Sequence, residues 1–341
     1  MFETLKELCL HSGVSGREAG LREYIIGRIK PHAEIKVDAL GNIIAFVKGK
    51  NRPQKTVMID AHMDEVGFII TAVRPDGMLK FENVGGIDVS VLLARRVVIG
   101  DGVTGVISMK PVHMLSGDEK KKYPKNDSLY IDIGAKSKEQ ALQLVSPGDV
   151  AVFDVDFEIS GGMVLSKALD DRAGCAALID IIEKGVEYDF YAAFTVQEEV
   201  GLRGARTAAF TVEPDYCIVL ESTTAADIAG VSDDKKVCSV GKGATVSFMD
   251  SSTLYDKTLF DKTLTVAKEK NIPAQVKCYV SGGNNAGAIH LSKGGVKTIT
   301  LSVPCRYIHS PSSVASVDDV KAVRDLGEAM LNTFASGSME E

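Results

Sequence analysis

Four short apolar, partly β-branched runs, at residues 56–60, 190–196, 216–220 and 297–303, constrain this chain more than any other feature. Each has the length of a strand rather than of a helix. A run that is apolar throughout, instead of alternately, is buried on both faces of its sheet. A sheet covered on both faces is an α/β arrangement, in which helices form the covering layers. Amphipathic segments at 170–183, 254–270 and 317–334 supply such helices.

The start of the chain fits the same pattern. Residues 5–10 and 19–29 have helical spacing, and 34–37 and 42–47 read as strands around an Ala-Leu-Gly turn. From 67 to about 158 the texture changes to short strands punctuated by turns such as Pro75-Asp76-Gly77 and Pro147-Gly148-Asp149. The expected fold is therefore α/β: a mixed-sheet sandwich with a small β-barrel-like domain inserted. Residues 1–66 and 162–341 are expected to form the discontinuous main domain, and 67–161 the insert.

Bulk properties exclude some functions. The net charge of −7 gives no basic surface for nucleic acid, and Lys120-Lys121-Lys122, the one compact basic run, reads as a solvated loop. No apolar stretch is long enough to cross a bilayer. The first eight residues mix acids with apolar positions and read as an amphipathic helix, not a signal peptide. Six cysteines without a CxxC read as buried small apolar residues of a cytoplasmic protein. The tail from 335 to 341 is polar and expected to fray.

The apolar runs matter for function because acids and histidines stand at their carboxyl ends. His62 comes after the first, with Asp64 placed to orient its ring. Glu198 and Glu199 come after the second, Glu221 closes the third, and His309 comes after the fourth. In open α/β sheets ligands gather at the carboxyl ends of strands. Asp170 and Asp171 open a helix, where an acid serves as a cap or bridges two cations. Two adjacent acids such as Glu198 and Glu199 share a dry site only with a cation, one ligating and the other accepting a proton. Each residue alone also has an ordinary structural role, so it is the set that points to a metal site. His11, His32 and His290 carry no partner signal, and His113 in the insert reads as a core or interface residue. Segment 281–287, Ser-Gly-Gly-Asn-Asn-Ala-Gly, lacks the lysine of a phosphate loop and reads as a turn into a helix beside a substrate pocket.

Four motifs resemble the M42 family of dinuclear metallo-aminopeptidases: Ala61-His62-Met63-Asp64-Glu65, Ala168-Leu169-Asp170-Asp171-Arg172, Gln197-Glu198-Glu199-Val200-Gly201 and Arg306-Tyr307-Ile308-His309-Ser310-Pro311. That family includes glutamyl and deblocking aminopeptidases and relatives labelled endoglucanase. The resemblance implies an exopeptidase sandwich and two divalent ions per subunit, Zn²⁺ or Co²⁺ first and Mn²⁺ as a third candidate. His62 and Glu221 would hold one ion, Glu199 and His309 the other, and Asp170 would bridge them. Glu198 would be the general base for a water activated between the metals, and Asp64 would orient His62. Peptides are the implied substrates, and a homo-oligomer, commonly a dodecameric shell, the implied assembly.

Two positions depart from the family pattern: Glu221 stands where Asp is common, and Gly282-Gly283-Asn284-Asn285 replaces Gly-Gly-Thr-Asp. The alternatives are a glycoside hydrolase using two carboxylates and a non-catalytic assembly or binding protein. The first lacks tryptophan for sugar stacking and leaves His62 and His309 without a role.

Overall fold

A computed structural model describes residues 1–118 and 121–338, so Lys120 of the basic run and the last three residues of the tail lie outside the described residues. Helices α1 (Phe2–Leu10) and α2 (Ala19–Ile29) precede strands β1 (Ala33–Val37), β2 (Ile43–Val47) and β3 (Val57–His62). Six strands come next: β4 (Gly67–Val73), β5 (Leu79–Val84), β6 (Arg96–Ile99), β7 (Val103–Ser108), β8 (Tyr130–Asp132) and β9 (Val150–Phe153), with the short helix α3 (Lys138–Leu142) before the last. The chain then runs β10 (Glu158–Ser160), β11 (Met163–Ser166), α4 (Leu169–Lys184), β12 (Phe190–Thr195), α5 (Arg203–Val212) and β13 (Tyr216–Thr224). It ends with β14 (Ala244–Val246), α6 (Lys257–Glu269), β15 (Ala274–Val276), α7 (Ala286–Ile289), β16 (Lys297–Arg306), β17 (Ser313–Ser316) and α8 (Val317–Ala335).

Eleven strands form one mixed sheet in the order β1-β2-β12-β3-β13-β16-β17-β11-β10, with β14 and β15 branching from β16. The four apolar runs of the sequence are its parallel centre, β12-β3-β13-β16. All six residues of β3 and the first eight of β13 are buried. That burial on both faces is why these strands carry no polar alternation. Helices α4 and α8 cover one face. There Gly327 of α8 lets the helix close on the sheet, since a side chain at that position would meet Leu220 at 3.1 Å. The opposite face is covered in part by α7, whose preceding residue Asn285 reaches Asp60 and Thr195.

Strands β4 to β9 close a six-stranded antiparallel barrel in the order β4-β5-β8-β7-β6-β9. Phe68 sits at its centre, edge-to-face with Phe81 and Phe153 at 5.2 Å each, a favoured aromatic geometry. Strand β10 lies in the large sheet, paired with β11.

Three sequence expectations meet a finer outcome in the fold. His113 is exposed, which removes the core alternative and leaves the interface one. Cys278 is exposed, while the other five cysteines are buried and all six are free thiols. Strand β13 runs past Glu221 to Thr224, so Glu221 lies within the strand rather than closing it. No helix among the described residues is long and apolar enough to cross a membrane.

Candidate metal centre

Because the four central strands are parallel, their carboxyl ends lie at one edge of the sheet. His62 is the last residue of β3, and Glu221 projects from β13 on the same side. Glu198 and Glu199 come three and four residues after β12, and His309 three residues after β16. Asp170 and Asp171 enter this edge at the start of α4, where their own backbone is non-helical (φ −87°, ψ 106° and φ −119°, ψ 44°). Asp171 caps the helix, since its Oδ1 accepts the Gly174 N–H at 2.9 Å, and its other oxygen is left for the cluster. Asp170 makes no such cap bond and turns both oxygens to the imidazoles.

The donor atoms converge. His62 Nε2 lies 3.2 Å from Asp170 Oδ1 and 3.4 Å from Glu221 Oε1. His309 Nε2 lies 3.4 Å from Asp170 Oδ2 and 3.2 Å from Glu199 Oε2. The two oxygens of Asp170 thus face two different imidazole–carboxylate pairs. Donor atoms of His62, Asp171 and Glu221 also lie within 4.8 Å of one another, as do those of His62, Asp170 and Glu199. The fully buried Asp171 is a member that the sequence reading left out of its ligand set.

The loops around the cluster are held in costly conformations. Ala168, Gln197, Tyr307 and His309 have φ of +54°, +56°, +60° and +58°. Each such non-glycine residue costs roughly 1–3 kcal/mol, so neighbouring contacts have to enforce it. Asp64 supplies several of those contacts. It accepts the Ser15 hydroxyl at 2.6 Å and the backbone N–H groups of Glu198 at 2.9 Å and Glu199 at 3.2 Å. Its Oδ1 is 3.5 Å from His62 Nδ1, at the long limit for a hydrogen bond, and Nδ1 has no closer partner.

The electrostatics ask for positive charge. Burial, with the charge of nearby acids added, pushes Glu221 up to about 8 and raises Glu198 and Asp171 well above the ordinary carboxylate range. Glu199 is raised for the same reason. Burial opposes the charged form of both imidazoles. The Glu221 charge and the bonds to Asp170 and Asp64 outweigh it at His62, and the bonds to Asp170 and Glu199 raise His309 to about 11. Among the described residues, Glu199 Oε1, Glu221 Oε2 and Asp171 Oδ2 are buried without a hydrogen-bond partner. Such orphaned acceptors are rare unless a site serves a ligand or ion. Imidazoles and carboxylates in this proportion are the donors that divalent transition ions take. The residues fit a metal centre.

The chain matches, over residues 41–326, the family described as M42 glutamyl aminopeptidase. A curated Acetivibrio thermocellus protein with a provisional aminopeptidase name is 41% identical over 97% of this chain and 98% of that protein. The chain belongs to the M42 glutamyl aminopeptidase family. The lysyl aminopeptidase of Pyrococcus furiosus is 33% identical over 97% of this chain and 96% of that protein. Among solved structures, the TET aminopeptidase of a marine sediment Thaumarchaeota archaeon superposes with a TM-score of 0.95 at 34% identity, covering 99% of this chain and 98% of the other.

Around this M42 cluster the fold adds residues that the sequence did not advertise. Glu65, in the loop after His62, is buried against Lys167 at 2.7 Å and Arg172 at 3.2 Å and accepts the Gly13 N–H at 3.0 Å. This network ties the His62 loop to the segment carrying Asp170. Glu65 and Arg172 stand inside two of the motifs, but nothing in the sequence pairs them with each other or with Lys167. The Gly282–Asn285 departure divides in two. Asn284 lines a cavity of about 730 Å³ above the cluster, together with Gly282 and Gly283. Asn285 turns under the sheet to Asp60 Oδ2 and Thr195 Oγ1, 2.8 Å from each, so its amide braces the parallel strands. His11, His32 and His290 stay outside the cluster, and His290 Nδ1 bonds the Ala286 carbonyl oxygen instead.

Proposed function

We propose that this chain is a metal-dependent aminopeptidase that removes N-terminal residues from peptides with two divalent cations per subunit. Asp170 carries the reading, because it turns Oδ1 toward His62 and Oδ2 toward His309. His62 and Glu221 would hold one cation and Glu199 and His309 the other, with Asp170 as their shared ligand. Mixed imidazole and carboxylate donors suit Zn²⁺ or Co²⁺, with Mn²⁺ third. When bound, the cations supply Lewis acidity at the scissile carbonyl and a lowered pKa for the attacking water.

The remaining steps belong to the protein. Glu198 lines the cavity beside the donor set, and its raised carboxyl suits it to hold a proton. It takes the proton of the attacking water and returns it to the leaving amine. Asp64 orients His62 and anchors the Glu198–Glu199 backbone. A glycoside hydrolase is not favoured, because it leaves both imidazoles unused and the family comparison runs to peptidases. A non-catalytic assembly protein would have no use for the costly convergence of buried acids at the cluster.

We assign residues 1–66 and 162–341, together with β10 of the large sheet, to the catalytic unit, and the barrel within 67–161 to an inserted unit that builds a homo-oligomer, with a dodecamer as the leading form. Exposed Val112 (70%) and Met114 (57%) support a covered surface there. A Pyrococcus horikoshii TET1 peptidase, 37% identical, is described as assembling into a tetrahedron or an octahedral shell.

The test is a panel of aminoacyl-p-nitroanilides before and after chelation. Activity should vanish with EDTA and return with Zn²⁺, Co²⁺ or Mn²⁺. A metal-loaded preparation inert to the whole panel rejects the reading.

A further inference from the structure

The cavity above the cluster extends past it to a cation that the hydrolytic chemistry does not use. Lys277 comes directly after β15, is only 5% exposed, and donates from Nζ to the Ser281 carbonyl at 2.8 Å. It lines the cavity together with Glu221 and Ser302. Among the described residues no carboxylate lies within ion-pair distance of it. The acid whose charge acts on it most, Asp250, is committed to Ser252, Thr253, Tyr255 and Asn284. A buried ammonium bonded to one neutral carbonyl has lost hydration that the carbonyl does not return. Lysines are almost never buried unpaired. Burial accordingly holds Lys277 below the ordinary lysine value, even with Asp250 pulling the other way.

The wall beside the ammonium adds neutral donors. Ser281, Gly282 and Gly283 line the cavity, and among the described residues their backbone N–H groups donate to no protein acceptor. Gly283 lies against the Ser251 and Ser252 hydroxyls, which a side chain at that position would meet at 2.9 and 2.8 Å. Bare backbone N–H groups next to a cation are the kind of cradle that captures the terminal carboxylate of a peptide. The acids of the wall, among the described residues, all belong to the metal-type cluster. The negative charge that Lys277 lacks must therefore arrive with the ligand.

Sheet order sets where on the ligand that charge lies. Strands β13, β16, β14 and β15 are neighbours in that order. Lys277 thus leaves a strand three spacings, roughly 14 Å, from the strand of Glu221. The lysine side chain closes part of that span. A peptide whose scissile carbonyl sits at the cluster advances about 3.3–3.6 Å per residue beyond it, so one or two residues close the rest. Resting on the aminopeptidase reading, we propose that Lys277 and the Ser281–Gly283 loop bind the C-terminal carboxylate of di- and tripeptides. Every short peptide brings that charge, whatever its first residue, so the site measures length rather than N-terminal identity.

The experiment measures kcat/KM of metal-loaded wild type, Lys277→Met and Lys277→Arg on leucyl-glycine, leucyl-diglycine and leucyl-tetraglycine, each as free acid and as C-terminal amide. Wild type should prefer the free acid of the two shorter peptides about 10–100-fold, the size of one charge-assisted hydrogen bond, and show no such preference for the longest. Lys277→Met should lose the preference, and Lys277→Arg should keep most of it. The wild-type comparison needs no variant, so a poorly folding substitution does not remove the test. Equal turnover of acid and amide by wild type overturns the proposal, as does a preference that survives in Lys277→Met or extends to leucyl-tetraglycine. Glutamyl- and leucyl-p-nitroanilide, which carry no terminal carboxylate, complete the panel. A loss in Lys277→Met confined to the glutamyl substrate assigns the lysine to the first side chain and also overturns the proposal. Calorimetry with leucyl-glycine and its amide separates the site from the aminopeptidase reading. Tighter binding of the acid that is lost in Lys277→Met, in a protein that hydrolyses neither, keeps the carboxylate site and removes the peptidase. Hydrolysis of both at one rate does the reverse.

Discussion

The carboxylate of Asp64 accepts the backbone N–H of Glu198 at 2.9 Å. The same side chain faces His62 Nδ1 and accepts the N–H of Glu199. One residue in the loop after β3 thus sets the ring of a candidate ligand and the backbone of two candidate acids in the loop after the neighbouring strand. Asp64→Ala should weaken metal binding or activity about 10–100-fold, the usual cost of losing an outer partner of a ligand. Competition with a chelating dye measures the affinity. Unchanged affinity and turnover would mean that the loop holds its shape without Asp64.

Glu198 lines the cavity, and none of the four close contacts between imidazoles and carboxylates involves it. Glu198→Gln keeps its size and removes its basicity. Metal content by elemental analysis should stay at the wild-type value while kcat falls about 10²–10⁴-fold. Loss of one ion in that variant would make Glu198 a ligand instead.

Glu65 neutralises two buried cations, Lys167 and Arg172. Glu65→Gln strands both charges, at a cost of about 3–5 kcal/mol for a broken buried pair. Lys167→Met leaves Glu65 with Arg172 and should cost less. Denaturant midpoints of the two variants test the order, and an equal or reversed order would refute it.

The bidentate pair from Arg306 to Asp227, 2.6 Å at Nε and 2.8 Å at Nη2, holds the end of β16 just before the His309 loop. The Arg306 bonds lower the Asp227 pKa below its unfolded value of about 3.9. A carboxyl lowered in the folded state stabilises above its unfolded pKa, and that contribution is lost as pH falls through the folded one. Asp227→Asn should therefore be less stable than wild type at pH 7, with the gap closing in acid below pH about 4. Denaturation at the two pH values checks it, and a gap that persists in acid would mean that the pair contributes through shape rather than charge.

Much of the architecture was legible along the chain. The four apolar runs became the four parallel central strands, because a strand buried on both faces has no polar alternation to hide. Turn-rich short strands became the barrel. His62, Glu199, Glu221 and His309 were legible because each stands at or just beyond the end of such a run, and parallel pairing brings those ends to one edge.

Other features had no linear signal. Asp171 looked like a helix-capping acid and is one, through the Gly174 N–H, but only the non-helical backbone at the start of α4 also brings its carboxylate among the donors of His62 and Glu221. Cys278 looked like an interior residue and is exposed, as is His113, whose core alternative falls, since burial depends on what the rest of the chain packs over a position. Asn285 sat in a pocket-like glycine loop, yet its amide reaches beneath the sheet to Asp60.

The sequence by itself determined which segments are strands, which residues stand at their carboxyl ends and which family the chain resembles, because strand burial and motif spacing are written locally. Only the tertiary structure decided that Asp170 faces two imidazoles that lie 247 residues apart in sequence. It also decided that Lys277 lies buried in the wall of the same cavity, with no carboxylate within ion-pair distance among the described residues. Both depend on which distant side chains share a dry volume, and charge pairing across that volume is set by packing, not by order along the chain.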